Sequence, residues 1–133
     1  MTSHAAGTSD DTRLQIGDVA ERTGLSLRTI RHYEEIALLP AASRSTGGFR
    51  LYSDEAVERL LVIKQMKPLG FSLDQMRELL GIRDRLAHPR LAARARSDLL
   101  SQQEQYLHLM EHKISELRDQ VEGAEAFAVE LRG

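Results

Sequence analysis

Two short helical segments joined by a glycine turn, followed by a Gly-Gly hairpin, set the architecture of residues 14–52, LQIGDVAERTGLSLRTIRHYEEIALLPAASRSTGGFRLY. Apolar residues at helical spacing predict a first helix over residues 16–22 with one buried face. Gly24 can adopt the left-handed conformation that ends a helix. Ser26 can cap the helix that follows. The segment therefore predicts two helices that meet at a tight turn.

The second helix has two distinct sides on a helical wheel. Its apolar side carries Leu27, Ile30, Tyr33 and Ala37. Its polar side carries Arg28, Arg31, His32 and Glu35. An ordinary solvated stripe would have the same polar pattern. The helix is too short to be stable alone, however, and follows the first after a turn of helix-turn-helix length, which favours that motif.

A hairpin follows the second helix. Pro40 ends the helical pattern, residues 46–48 supply a tight turn, and residues 49–52 alternate as a strand should. A plain hairpin that closes the core with Phe49 and Leu51 is one interpretation. Together with the two helices, the hairpin predicts a winged helix-turn-helix. The basic helix and basic loop of such a domain suit a DNA groove and its phosphates.

Six short pieces of residues 14–80 follow one another at a characteristic spacing: Ile16-Gly17-Asp18-Val19-Ala20, Gly24-Leu25-Ser26, Arg28-Thr29-Ile30-Arg31-His32-Tyr33-Glu34, Leu38-Leu39-Pro40, Gly48-Phe49-Arg50-Leu51-Tyr52 and Leu69-Gly70-Phe71-Ser72-Leu73. In this order and spacing, they resemble the DNA-binding domain of the MerR family of bacterial transcription regulators. Two positions depart from the family pattern: Ala37 replaces the usual Gly, and His32 replaces a more usual Tyr. In a left-handed conformation, Ala37 costs about 1 kcal/mol relative to Gly.

A heptad pattern runs through the end of the chain. One seam position holds Leu100, Leu107, Ile114, Val121 and Ala128, and the other holds Gln103, Met110, Leu117, Ala124 and Leu131. A single amphipathic helix could instead fold back on its own domain. A narrow seam suits another helix better, however, and no second long helix remains, so a partner chain must supply it. The resemblance implies an antiparallel pair. We expect the homodimer interface to include Leu100, Leu107, Met110, Ile114, Leu117 and Val121.

The predicted fold is all-α with a small β-hairpin wing. We expect a disordered tail (1–12), a winged helix-turn-helix domain (13–85) and a coiled-coil dimerisation helix (90–131), with no separate effector domain. Ser53 and Ser72 are placed to begin the third and fourth helices.

Twofold symmetry calls for an inverted-repeat site in double-stranded DNA. By resemblance, the turn at residues 67–71 is a second wing, and Lys64 and Lys67 contact phosphate, although an ordinary solvated surface fits equally well. The expected DNA-binding residues are Arg28, Thr29, Arg31, His32 and Tyr33 on the helix, Arg44, Phe49, Arg50 and Tyr52 in the hairpin, Lys64 before the second turn and Lys67 at its start. The resemblance also implies that the dimer distorts a promoter spacer and so acts on RNA polymerase indirectly.

Charge is unevenly distributed. Residues 14–97 hold 14 Lys and Arg against 10 Asp and Glu, whereas residues 98–133 hold 3 against 8. Because salt screens charges beyond about 8–10 Å, local charge near the phosphates matters more than the net charge of −2. The acidic end is expected to point away from the duplex.

Composition excludes several classes of site. With no cysteine, the chain has no disulfide, zinc ribbon or thiol switch. His108 and His112 are spaced to share a metal with Glu104 or Glu111, but their solvated heptad positions favour a surface pair. We expect no cofactor, no metal, no membrane span and a cytoplasmic location.

Enzyme chemistry is not expected, because no nucleophile–base pair or phosphate loop is recognisable. An inducer is left open. Two other functions also stay open: an architectural or recombination-accessory DNA binder such as an excisionase, and a coiled-coil adaptor whose helix-turn-helix is only a scaffold.

Overall fold

The computed structural model describes residues 13–133, so the predicted disordered tail, residues 1–12, lies outside the described residues. The helices are α1 (Ile16–Thr23), α2 (Leu27–Glu35), α3 (Asp54–Met66), α4 (Leu73–Leu86) and α5 (Ala93–Arg132), and the strands are β1 (Ser43–Arg44) and β2 (Arg50–Leu51). A 3₁₀ turn, Lys67–Leu69, follows α3. The predicted all-α fold with a small hairpin is confirmed. The chain divides into two compact units, one ending at Lys67 and one spanning Pro68–Gly133.

Local capping explains where the helices begin. The Ser26 hydroxyl oxygen accepts a hydrogen bond from the Thr29 amide at 3.1 Å. Ser53 does the same for α3. Ser72 forms a reciprocal capping box with Gln75. Gly24 ends α1 in the left-handed conformation, with φ of 74°. These local predictions are confirmed because each depends on residues within one turn.

The first unit buries a core between α1, α2 and α3. Ala37 departs from the sequence prediction: α2 ends at Glu35, and Ala37 lies beyond it, exposed and left-handed with φ of 63°. It is therefore not part of the buried side of α2. The core residues include Val19, Thr23, Ile30, Tyr33, Leu38, Leu39, Tyr52, Leu60 and Ile63.

The hairpin is short. Its strands are antiparallel, pairing Ser43 with Leu51 and Arg44 with Arg50. An isolated bridge between Leu14 and Tyr52 extends it. Phe49 is 61% exposed, so the interpretation in which Phe49 helps close the core is wrong. The Phe49 ring lies outside the core, next to the turn. From this end of the hairpin, Tyr52 is the aromatic residue that packs into the core.

The second unit packs α4 against the first half of α5. Leu99 and Tyr106 are the buried residues of α5, and the Tyr106 ring contacts Phe71 at 6.2 Å between centroids. The first half of the helix thus packs on its own chain, which is the alternative that the heptad pattern disfavoured. Much of the heptad seam is not covered by other parts of the chain, since Leu107 is 47% and Val121 is 56% exposed. Over residues 13–133, the helices lack the combination of length and apolarity that crossing a membrane requires.

Candidate nucleic-acid interface

Helix α2 presents a basic outer face. Arg28, Arg31 and His32 are all exposed, while Ile30 and Tyr33 anchor the opposite side in the core. Thr29 lies at the edge, where its hydroxyl oxygen accepts a hydrogen bond from the Ser26 hydroxyl at 2.9 Å. The structure therefore brings Arg28, Arg31 and His32 onto one solvent-facing surface of α2.

Glu34, also on α2, ties this helix to the hairpin. Its carboxylate accepts hydrogen bonds from the Ala42 amide (2.8 Å), the Arg50 guanidinium (2.6 Å) and the Tyr52 hydroxyl (2.9 Å). The side chain is only 11% exposed. Burial by itself raises the pKa of Glu34, but the bonds from Ala42, Tyr52 and Arg50 outweigh it and lower that pKa below its usual value. The carboxylate is therefore held in its charged form.

Sequence reasoning missed Glu34. Its signal was an acidic residue within a basic helix, next to the buried Tyr33 and one residue before the exposed Glu35. An acid there is unfavourable for an anion-binding face unless it has an internal partner. The need for an internal partner would have pointed to a structural role for Glu34. It would not have identified Ala42, Arg50 and Tyr52 as the partners.

The two predicted tyrosines are not surface residues. Tyr33 and Tyr52 are each 3% exposed. Burial, and then the bond to Glu34, raise the pKa of Tyr52. Their predicted part in DNA binding can therefore act only through packing and orientation. Phe49, in contrast, is 61% exposed next to the hairpin turn.

The predicted basic residues outside α2 differ in their surroundings. Arg44 donates from Nη1 to the Gly48 carbonyl at 2.9 Å and so spans the turn. Arg50 remains 36% exposed while paired with Glu34. Lys64 donates to the Thr23 carbonyl at 2.7 Å. Lys67 is exposed at the 3₁₀ turn.

Comparison with known proteins identifies the family. Residues 14–81 match the family model for MerR HTH family regulatory proteins, and residues 57–133 match the model described as MerR, DNA binding. The chain belongs to the MerR family. Together the two models cover the whole helix-turn-helix, the hairpin and the long helix.

Individual relatives agree with the family. The chain is 42% identical over 73 residues to the mercuric resistance operon regulatory protein of Bacillus cereus, covering 55% of each. A transcription regulator of Ralstonia metallidurans, solved in complex with lead(II), is 30% identical with a TM-score of 0.54, covering 89% of this chain and 82% of that one.

HiNmlR, described as a MerR family regulator lacking the sensor domain and solved on promoter DNA, shares the fold. It has a TM-score of 0.62 at 23% identity, covering 83% of this chain and 79% of that one. This MerR-family chain spans about half or less of the length of several curated relatives that it matches, between 30% and 55%.

The histidines of α5 lie on the surface of this MerR-family chain. His108 lies 3.6 Å from Glu104 and 3.5 Å from Glu111, and His112 lies 3.4 Å from Glu116. All are well exposed. Within residues 13–133, three or more His, Asp or Glu side chains do not converge as a metal site would need. These contacts are surface ion pairs when the histidines are protonated.

Proposed function

We propose that this chain is a homodimeric, sequence-specific transcription regulator that binds an inverted-repeat promoter site. The observation that carries the proposal is the basic face of α2, where Arg28, Arg31 and His32 stand exposed on a helix of a helix-turn-helix. Such a helix enters a major groove, where an Arg bound to a guanine contributes about 1–3 kcal/mol of discrimination. Arg44, Arg50 and Lys67 supply phosphate contacts from the hairpin and the 3₁₀ turn.

The second half of the proposal is a twofold dimer through α5. Large apolar side chains lie exposed along its seam, including Leu100 and Leu107 at 47%, Leu117 at 39% and Val121 at 56%. A second copy of α5 supplies the surface that covers them, and a dimer places two α2 helices on two half-sites. We assign the interface to Leu100, Leu107, Met110, Ile114, Leu117 and Val121, in antiparallel pairing.

At the promoter, we propose that the dimer distorts the spacer between promoter elements and thereby acts on RNA polymerase indirectly. The DNA-bound HiNmlR relative supports a promoter as the target. Bending a site by 40–90° costs roughly 1–6 kcal/mol, which contacts from two wings can offset. The predicted domain limits, 13–85 and 90–131, and a cytoplasmic location belong to the same proposal.

Binding to a palindrome selected from random duplex tests the DNA-binding part. We expect affinity to fall steeply with salt and Arg31→Ala to weaken binding by about 10- to 100-fold. Arg94→Ala, at an exposed position of α5 outside the assigned interface, is the matched control and should change affinity little. An adaptor would show no salt-dependent binding and no effect of Arg31→Ala.

Transcription in vitro with promoters of altered spacer length tests the distortion. Activation should appear at one spacer length and fall when a base pair is added or removed. Activation that ignores spacer length would contradict the mechanism while leaving DNA binding intact.

A further inference from the structure

We propose that Glu34 is a positioning residue for DNA binding: an acidic side chain that raises affinity because it holds the hairpin wing, and Arg50 in particular, against α2. This inference rests on the proposed function. It assigns an unusual role, since a carboxylate on a DNA-facing helix ordinarily repels phosphate.

The three donors to Glu34 come from both sides of the hairpin. Ala42 precedes β1, Arg50 belongs to β2, and Tyr52 follows β2. Each strand contains only two residues, and a hairpin of that size is marginally stable by itself. One carboxylate thus fixes the entry and the exit of the wing to the helix that carries Arg28 and Arg31.

Arg50 is the residue through which Glu34 acts. A guanidinium has five N–H donors in a fixed plane, so a bond to Glu34 leaves others able to reach a phosphate. The Arg50 side chain is 36% exposed, so part of it remains accessible from solvent while it is paired with Glu34. Glu34 therefore sets the plane of a phosphate-binding group, and its own charge is largely neutralised by the same contact.

Comparison with the neighbouring Glu35 tests the inference, because the two explanations predict opposite changes in DNA affinity when Glu34 is removed. Glu35 carries the same charge on the same helix but is exposed. If only charge mattered, removing either carboxylate would relieve repulsion with the phosphates and strengthen binding. If Glu34 positions the wing, its removal weakens binding and Glu35 removal does not.

The experiment compares Glu34→Ala and Glu34→Gln with Glu35→Ala and Glu35→Gln. Affinity is measured on the palindromic duplex bound by the wild type, together with hydroxyl-radical footprinting of the backbone and dimethyl sulfate protection of major-groove guanines. We expect Glu34→Ala to lower affinity about tenfold and to lose the wing's backbone protection while guanine protection stays. Glu35→Ala should bind as tightly as the wild type or more tightly.

Two further variants keep the test decisive. Arg50→Ala should lose the same backbone protection, and the Glu34→Ala/Arg50→Ala double variant should bind no worse than the weaker single variant. If Glu34→Ala does not fold, judged by circular dichroism, Tyr52→Phe removes one donor while keeping the ring. It should then produce a smaller loss of the same protection.

Glu34 variants that bind as tightly as the wild type would overturn the inference, as would an equal loss in Glu35→Ala. So would a loss in Glu34→Ala spread evenly over all protected positions. Wild-type protein that binds no inverted repeat would instead reject the proposed function itself.

Discussion

The ammonium of Lys64 on α3 donates a hydrogen bond to the carbonyl oxygen of Thr23, the last residue of α1, at 2.7 Å. The last carbonyls of a helix have no partner within the helix, and positive charge there is favourable. The contact fastens α3 to the first helix of the helix-turn-helix. Lys64, which the sequence predicts to contact phosphate, is exposed and also has this partner within the protein.

Lys64→Met should lower the free energy of unfolding by about 1–2 kcal/mol, because the Thr23 carbonyl loses a charged donor. Urea denaturation followed by circular dichroism measures this change. The matched control is Lys67→Met, at an exposed position, which should alter stability by less than about 0.5 kcal/mol. Unchanged stability in Lys64→Met, together with weakened DNA binding equal to that of Lys67→Met, would show that phosphate contact is the main role of Lys64.

Ala37→Gly should stabilise the protein. Ala37 has a φ of 63°, in the left-handed region. This conformation costs an L-residue with a Cβ atom about 1–2 kcal/mol more than it costs glycine. Glycine costs more entropy on folding, by about 0.4–1 kcal/mol, so the expected net gain centres on about 0.8 kcal/mol and does not exceed about 1.6 kcal/mol. Thermal unfolding measures it. Ala87→Gly, at a C-cap with φ of −78°, is the control and should not stabilise. Equal effects at both positions would contradict the argument from backbone strain.

The sequence predicted the helices well because their signals are local. Gly24, Ser26 and Ser72 act within a turn of the helix end that each one marks. Ala37 is different: helical periodicity placed it on the buried side of α2, and only the family's usual glycine pointed to its left-handed conformation. The exposed basic face of α2 also followed from helical periodicity alone.

Long-range partners could not be predicted in this way. Lys64 and Thr23 are 41 positions apart, and Glu34 and Tyr52 are 18 apart. A basic side chain looks the same in sequence whether it faces a phosphate or an internal carbonyl. The packing of α1, α2, α3 and the hairpin within the first unit decides between these two surroundings. The heptad pattern drew attention to one face of α5 only. A second apolar face, which includes the buried Tyr106, was therefore not predicted.

Tyr106 should make stability depend on pH in the alkaline range. Its hydroxyl donates to Glu78 on α4, and burial, followed by the nearby carboxylate, raises its pKa to about 12. The folded state keeps a proton that the unfolded state loses near 10. Stability from this group is therefore fully present below pH 10 and is lost as pH rises toward 12.

Tyr106→Phe should lower the free energy of unfolding by about 1–2 kcal/mol at pH 8, since a bond to a carboxylate is lost. The difference from the wild type should shrink between pH 10 and pH 12. Urea denaturation at pH 8, 9.5 and 11 tests both statements. Glu78→Gln keeps the shape of the acceptor without its charge and should weaken the pH dependence. A difference that stays constant with pH would show that Tyr106 has no raised pKa.

Engineered cysteines should reveal the antiparallel pairing of α5. The chain has no native cysteine, so introduced thiols are the only ones present. Antiparallel pairing of the full seam places Leu107 opposite the partner's Ala124, since these residues occupy the two different seam positions. The two Leu107 residues are then about 25 Å apart along the helices, at about 1.5 Å per residue, beyond disulfide reach. Mild oxidation should therefore cross-link the double variant Leu107→Cys/Ala124→Cys into dimers, but neither single variant. Cross-linking of Leu107→Cys alone would indicate a parallel pair, and a monomer in analytical ultracentrifugation would reject the coiled-coil dimer.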